Sequence, residues 1–140
     1  MTNVSRNRAP DFSLVGYIHM RLDQTMPRRA RSWVVGLAVQ YGCGGDALDA
    51  IRLLTSELAT NALRHGAQGE EHKVRVALLR DPKGLRVEVN DRGAGIPQPR
   101  DADTADEDGR GLFLVAALAR AWGHRPGYDG GTTVWFELDT

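Results

Sequence analysis

The chain has 140 residues, the size of one ordinary domain, and 41% of them are hydrophobic and 26% charged. Its 18 basic and 18 acidic side chains give a formal net charge of zero, which argues against a nucleic-acid-binding surface of the usual basic kind. A single cysteine excludes an internal disulfide, and no apolar run approaches the ~18 residues of a membrane span, so the composition predicts a cytoplasmic protein.

The first third of the chain predicts a leader, a strand and a helix. Residues 1–15 show no hydrophobic periodicity and are expected to be a flexible leader, which leaves residues 16–140 as a single domain. The segment Gly16–Leu22 predicts an edge strand. Thr25 is a predicted N-cap, and the helix that follows it is expected to end near Tyr41.

The middle of the chain predicts a second helix and a β-hairpin. Apolar residues recur at helical spacing from about Asp46 to His65. Hydrophobic residues then alternate over Val74–Leu78 and again over Leu85–Val89, and turn-forming residues separate the two runs at 81–84. Two alternating runs joined by a short turn are typical of antiparallel strands.

The last third begins with a long irregular stretch, 91–111, which at this length indicates a functional or disordered loop. A short helix over Leu112–Trp122 and strands over His124–Tyr128 and Thr132–Leu138 are predicted to follow. The element order is β-α-α-β-β-loop-α-β-β. It predicts an α+β fold, a two-layer sandwich with helices packed on one face of a mixed, mostly antiparallel sheet.

The second predicted helix carries the first motif with chemical potential. Glu57 and Asn61 are four residues apart, so their side chains share one helix face. Carboxylate and carboxamide oxygens suit Mg²⁺, and a carboxylate can also act as a base. Taken alone, the same pair is more typical of a solvated polar helix face.

Three glycine-containing motifs follow. In 91–95 a carboxylate directly after a strand can accept a hydrogen bond from an exocyclic amine such as that of adenine, although an ordinary turn fits equally well. In 109–112 two glycines open a predicted helix whose free N–H groups suit a phosphate chain, or simply form a flexible entry to that helix. The local pattern of 130–133 favours a hairpin turn.

In this order and spacing the motifs resemble the Bergerat-type nucleotide-binding fold shared by gyrase, Hsp90, histidine kinases and MutL. Within that superfamily they resemble the small anti-sigma factor serine/threonine kinases. Residues 56–62 are similar to the N box, 91–96 to the first glycine box, 109–115 to the second, and 131–132 to the terminal Gly-Thr. The resemblance extends over residues 16–138.

The resemblance implies that the domain binds ATP together with Mg²⁺. Glu57 would be the general base and Asn61 a ligand of the metal that bridges the phosphates. Asp91 would accept the adenine amine, supported through water by Thr132. The other implied nucleotide-binding residues belong to the two glycine boxes: Gly93, Gly95, Ile96, Gly109, Arg110, Gly111 and Leu112.

The resemblance also implies partners. The phosphoryl acceptor would be a serine on an anti-anti-sigma protein of the STAS type, and the same domain would hold a sigma factor inactive. Arg31, on the first helix, would contact the partner. Relatives of this kind commonly form homodimers, and no direct contact with nucleic acid or membrane is expected.

The predicted ATP lid, 97–108, is rich in acidic residues and has no lysine to approach a γ-phosphate. This favours a second hypothesis, a non-catalytic partner-binding module switched by ATP. Glu57 favours the kinase, because binding alone needs no base. A histidine kinase catalytic domain would need a helix pair ahead of the first strand, where only about 15 residues stand. A plain α+β domain would have to imitate four motifs in order.

Overall fold

The computed structural model describes residues 12–65, 73–91, 115, 117–127 and 131–140. Its elements are β1 (Ser13–Arg21), α1 (Met26–Gln40), α2 (Gly45–His65), β2 (Lys73–Arg80), β3 (Gly84–Asp91), β4 (Ala121–Pro126) and β5 (Thr132–Asp139). The strands form one sheet in the order β1-β2-β3-β5-β4. The predicted α+β architecture is confirmed. The sheet was predicted to be mixed and mostly antiparallel, and within the described residues every strand pair is antiparallel.

The first strand begins at Ser13, three residues before the predicted start at Gly16. The reason is tertiary, because β1 pairs with β2 from Ser13 opposite Arg80 to Arg21 opposite Lys73. A bulge between Leu14 and Gly16 interrupts the alternation that would have revealed this longer strand. Residues 1–11 of the predicted leader lie outside the described residues.

Thr25 occupies the predicted N-cap position of α1, but its side chain makes no capping hydrogen bond. Its hydroxyl donates instead to Asp23 Oδ1 at 2.7 Å, and the same oxygen accepts the Thr25 N–H at 2.9 Å. These two hydrogen bonds lower the pKa of Asp23 below its ordinary value of 3.8, and Arg29 adds to the effect. The helix therefore begins from an Asp-centred turn rather than from a threonine cap.

The core lies between the helices and one face of the sheet. Its helical side includes Ala30 and Val34 of α1 and Ile51 and Leu58 of α2, all fully or almost fully buried. Its sheet side includes Met20 of β1 and alternate residues of β2, β3 and β5: Val74, Val76, Leu78, Leu85, Val87, Val89, Val134, Phe136 and Leu138. Because side chains of a strand alternate between faces, the residues between these positions project to the opposite side of the sheet.

β4 begins at Ala121, so the last predicted helix ends before Trp122, where the sequence had placed its end. Val115, Ala117 and Leu118 are helical, and the Ala119 N–H donates to the Val115 carbonyl at 2.9 Å. The next N–H, that of Arg120, already donates to a carbonyl of β5 at 2.7 Å. Trp122 is thus a strand residue opposite Phe136 of β5, because pairing with the sheet outweighs a local pattern that suits either structure.

Candidate functional site

Glu57 and Asn61 lie one helical turn apart on α2, as their spacing predicts. Neighbouring Leu58 and Ala62 belong to the core and hold this part of the helix against the sheet. Glu57 is partly exposed, whereas Asn61 is only 6% exposed. One face of the helix therefore carries a carboxylate that reaches solvent and, one turn further on, a nearly buried carboxamide.

The side-chain oxygen of Asn61 is buried and has no hydrogen-bond partner among the described residues. Thr55 Oγ1 and Arg125 Nη1 share this property. A buried acceptor without a donor is costly, so Asn61 Oδ1 needs a partner from outside the described residues, and a cation or a bound molecule could supply it. Asn61 is distinguished from the other two by the carboxylate one turn away.

Asp91 and Thr132 face each other at one end of the β3–β5 ladder, where they are register partners. Two residues further into each strand, Val89 and Val134 are also partners and belong to the core. Because the alternation has a period of two, Asp91 and Thr132 project to the same helix-covered side of the sheet as those valines. The adenine contact that the resemblance implies needs Asp91 and Thr132 side by side, and the sheet register pairs these two residues.

Arg31 lies beside the helix turn that carries Glu57, which the sequence does not indicate. Its guanidinium Nη1 donates to Ser56 Oγ at 3.3 Å, which joins α1 to α2 at the residue directly before Glu57. Ser56 had no predicted role beyond its place in the N box. A polar residue among the apolar positions of a helix that packs on another helix is a signal that could have drawn attention to it.

The remaining predicted nucleotide-binding residues lie outside the described part of the chain: Gly93, Gly95, Ile96, Gly109, Arg110, Gly111 and Leu112. The described strands do bring one polar pair to light that the sequence did not single out. Thr133 Oγ1 donates to Asn90 Oδ1 at 2.8 Å, next to Asp91 and Thr132 and on the other face of the sheet.

The side-chain oxygen of Asn61 suits a hard cation that takes only one or two ligands from the protein. Asn61 Oδ1, which no described residue contacts by a hydrogen bond, is an oxygen of the type that Mg²⁺ prefers. Within the described residues, no group of three His, Cys, Asp or Glu side chains could hold a metal by itself. Mg²⁺ at nucleotide sites usually takes most of its ligands from phosphate oxygens and water and only one or two from the protein.

The lone thiol does not contribute to this site. Burial raises the pKa of Cys43 above its ordinary value, so less thiolate is present at neutral pH. Cys43 lies in the loop that joins α1 and α2 and packs against the core. In the described part of the chain, no helix has both the length and the apolar character needed to cross a bilayer.

Comparison with known proteins gives a family, a solved structure and one curated relative. Residues 20–138 match the histidine kinase-like ATPase domain. The fold is similar to the crystal structure of the RsbU and RsbW domains of Rv1364c from Mycobacterium tuberculosis, with a TM-score of 0.66 and 21% identity over 89% of this chain and 32% of that one. Uncharacterized protein SCO4941 of Streptomyces coelicolor is 39% identical over 71 residues, which span 49% of this chain and 66% of that protein.

The family match and the geometry agree. The matched region starts at Met20 near the end of β1 and ends at Leu138 in β5, so it includes both helices and almost the whole sheet. It also contains every residue from Arg31 to Thr132 that the motifs single out. The superfamily resemblance read from those motifs is therefore confirmed, and the chain belongs to the histidine kinase-like ATPase domain family.

Proposed function

We propose that this domain is an ATP-dependent anti-sigma regulatory kinase that phosphorylates a serine of an anti-anti-sigma partner of the STAS type. The observation that carries the proposal is the buried oxygen of Asn61, which has no partner in the described part of the chain and lies one turn from the carboxylate of Glu57. A metal-ligating oxygen beside a potential base is what phosphoryl transfer to a hydroxyl requires. The fold likeness to a structure whose title names an RsbW domain supports the same direction.

In the proposed site the nucleotide lies on the helix-covered side of the sheet. Asp91 accepts a hydrogen bond from the adenine amine, and Thr132, its register partner, supports that contact through water. Gly93, Gly95 and Ile96 line the base, while the backbone of 109–112 and the Arg110 side chain bind the phosphates. Asn61 would hold Mg²⁺, and the bound ion would neutralise part of the phosphate charge.

Glu57 is the proposed general base. Its carboxylate takes the proton of the acceptor serine as the serine oxygen forms a bond to the γ-phosphorus. The bond from that phosphorus to the β–γ bridging oxygen breaks, and ADP leaves with the electron pair. The partial exposure of Glu57 supports this role, because a protein substrate has to reach the base from solvent.

Arg31 is the proposed partner contact. Because its guanidinium lies 3.3 Å from the hydroxyl of Ser56, a partner that binds Arg31 also borders the helix turn that carries Glu57. The acceptor serine and the contact surface would then belong to the same face of the domain. A sigma factor held at the same surface would compete with the acceptor, and a homodimer would present two such surfaces.

The test is transfer of label from γ-labelled ATP with Mg²⁺ to a panel of anti-anti-sigma proteins from the same cell. Glu57→Gln should lower transfer by about 100-fold or more while the Kd for ATP stays near that of the wild type. Asp49→Asn removes an exposed carboxylate on the same helix and should leave transfer unchanged. Transfer by Glu57→Gln at the wild-type rate would refute the base assignment.

The acidic character of 97–108 supports a second candidate, the ATP-switched binding module without catalysis. Carboxylates near a triphosphate oppose the close approach that transfer needs. The same assay separates the two functions. ATP binding without any labelled acceptor, combined with capture of a sigma factor that depends on ATP, would establish the switch instead of the kinase.

A further inference from the structure

A buried hydrogen-bonded pair stands behind the proposed adenine site. Thr133 Oγ1 donates to Asn90 Oδ1 at 2.8 Å, and the two residues are 2% and 3% exposed. They are register partners on neighbouring strands, and the next pair in the ladder is Asp91 with Thr132. The hydrogen bond thus lies one residue from the proposed base contact on both strands, but on the opposite face of the sheet.

This position is where the ladder ends. Asp91 is the last residue of β3, and Thr132 is the first residue of β5. Ladder ends are the first parts of a sheet to open, and a shift of one residue would turn Asp91 to the wrong face. A side-chain hydrogen bond that joins the two strands directly beside this pair opposes both opening and slippage.

The composition of the two strands makes this hydrogen bond distinctive. Further along the same face of the sheet, the next polar residues on β3 and β5 are Glu88, Arg86 and Glu137, which interact through ion pairs. The Asn90–Thr133 pair is neutral and buried, so its strength depends on the alignment of one hydroxyl with one amide oxygen. Such a contact is sensitive to register in a way that a flexible ion pair is not.

We infer that Asn90 and Thr133 are positioning residues, which hold Asp91 and Thr132 at the spacing that selects adenine. The inference rests on the proposed function, because it assumes that Asp91 contacts the base. Neither residue touches the nucleotide, since both project to the face away from the helices. Their loss should therefore alter discrimination between bases more than it alters binding of phosphates.

The experiment measures the Kd values of MgATP and MgGTP by calorimetry, together with the Tm, for a set of variants of the whole chain. Thr133→Val should weaken ATP binding by about tenfold and GTP binding much less, so that the preference for ATP falls. Thr133→Ser keeps the hydroxyl and should restore the preference. Leu138→Val trims the core at the far end of β5 and should lower the Tm without changing the preference.

A double variant separates a loss of base preference from a loss of stability. Asn90→Val with Thr133→Val removes both members of this hydrogen bond, so that neither the hydroxyl nor the amide oxygen is left buried without the other. It should still lose the preference for ATP. Retention of the wild-type preference by a folded Thr133→Val or by the double variant would overturn the inference.

Asp91→Asn separates this inference from the proposed function. If Asp91→Asn loses the preference for ATP but the Asn90 and Thr133 variants keep it, only the positioning role fails. If Asp91→Asn binds ATP and GTP as the wild type does, the adenine contact itself is wrong, and the positioning role falls with it.

Discussion

The two faces of the sheet are both buried at their centre, but by different means. On the helix-covered face, Val87, Val89 and Phe136 are fully or almost fully buried among apolar neighbours. On the other face, Arg86 is only 5% exposed and Glu88 only 7%. Burial on the first face is stabilised by the removal of apolar area from water, whereas on the second face every charge needs a partner.

Arg86 is the centre of the polar face. Its Nε donates to Glu88 Oε2 at 2.9 Å and its Nη1 to Glu137 Oε2 at 2.7 Å. The guanidinium lies 4.0 Å from the centre of the Trp135 ring, so an aromatic face covers what the carboxylates leave open. Arg120 and Arg125 extend the network by contacting Glu137 and Glu88 from the edge of the sheet.

One sheet can thus combine a face that tolerates substitution with a face that does not. An apolar face accepts many side chains of suitable volume, because dispersion and area burial are not directional. A face built on hydrogen-bonded charges accepts few substitutions, because each partner that is removed leaves another one buried and unpaired. The proposed positioning pair, Asn90 and Thr133, belongs to this second and more specific face.

Loss of apolar area should have the largest effect. Phe136→Ala removes a fully buried ring from the helix-covered face and should lower the free energy of unfolding by about 3 to 5 kcal/mol. Urea-induced unfolding measures this change. A loss below about 1 kcal/mol would mean that the helices move to fill the cavity left by the ring. This face of the sheet would then be less tightly packed than its burial indicates.

Loss of the central charge on the polar face should come next. Arg86→Met leaves Glu88 buried, and Glu137 partly buried, without the arginine that pairs with both, and should cost about 3 kcal/mol. Arg52→Met is the matched control, because its pair with Asp49 is solvent-exposed, and it should change stability by less than about 1 kcal/mol. Equal effects of the two variants in urea unfolding would contradict the distinction between buried and exposed ion pairs.

The smallest effect is expected at the exposed contact between Arg29 and Asp23, which are 3.2 Å apart. Hydrogen bonds from Thr25 lower the pKa of Asp23 in the folded state, so the carboxylate stabilises the fold above the unfolded pKa. That contribution should decrease as the pH falls from 3.8 through the lower folded value.

Asp23→Asn tests this linkage. The difference in Tm between wild type and variant should be present at neutral pH and disappear under strongly acidic conditions. A difference that grows as the pH falls would reverse the sign of the linkage and contradict the lowered pKa.

Elements that depend on local signals could be predicted closely. The turn between β2 and β3 is one case, because Asp81 Oδ1 accepts the N–H groups of Lys83 and Gly84 at 2.9 and 2.7 Å. The one-turn spacing of Glu57 and Asn61 is another, since it needs only a helix. The roles of these two residues, and of the glycine motifs outside the described residues, stay predictions.

Elements that depend on distant partners could not be predicted. The alternation Leu-Arg-Val-Glu-Val-Asn in β3 predicts a strand with one exposed polar face, yet every residue of β3 is buried. The start of β4 at Ala121 depends on pairing with β5, where Gly123 lies so close to Trp135 that an added Cβ would be 2.9 Å from the ring. The sequence of neither strand contains that information alone.

The amino-acid sequence alone was enough to predict the order of the elements, the positions of the motifs and the membership in an ATPase family. These properties follow from spacing along the chain, where periodicity and turn residues act over a few positions. Only the tertiary structure decided which polar residues are buried, that Arg31 lies beside Ser56, and that Asn90 and Thr133 stand behind Asp91 and Thr132. The physical reason is that burial, ion pairing and register are properties of pairs of segments, and they exist only once those segments meet.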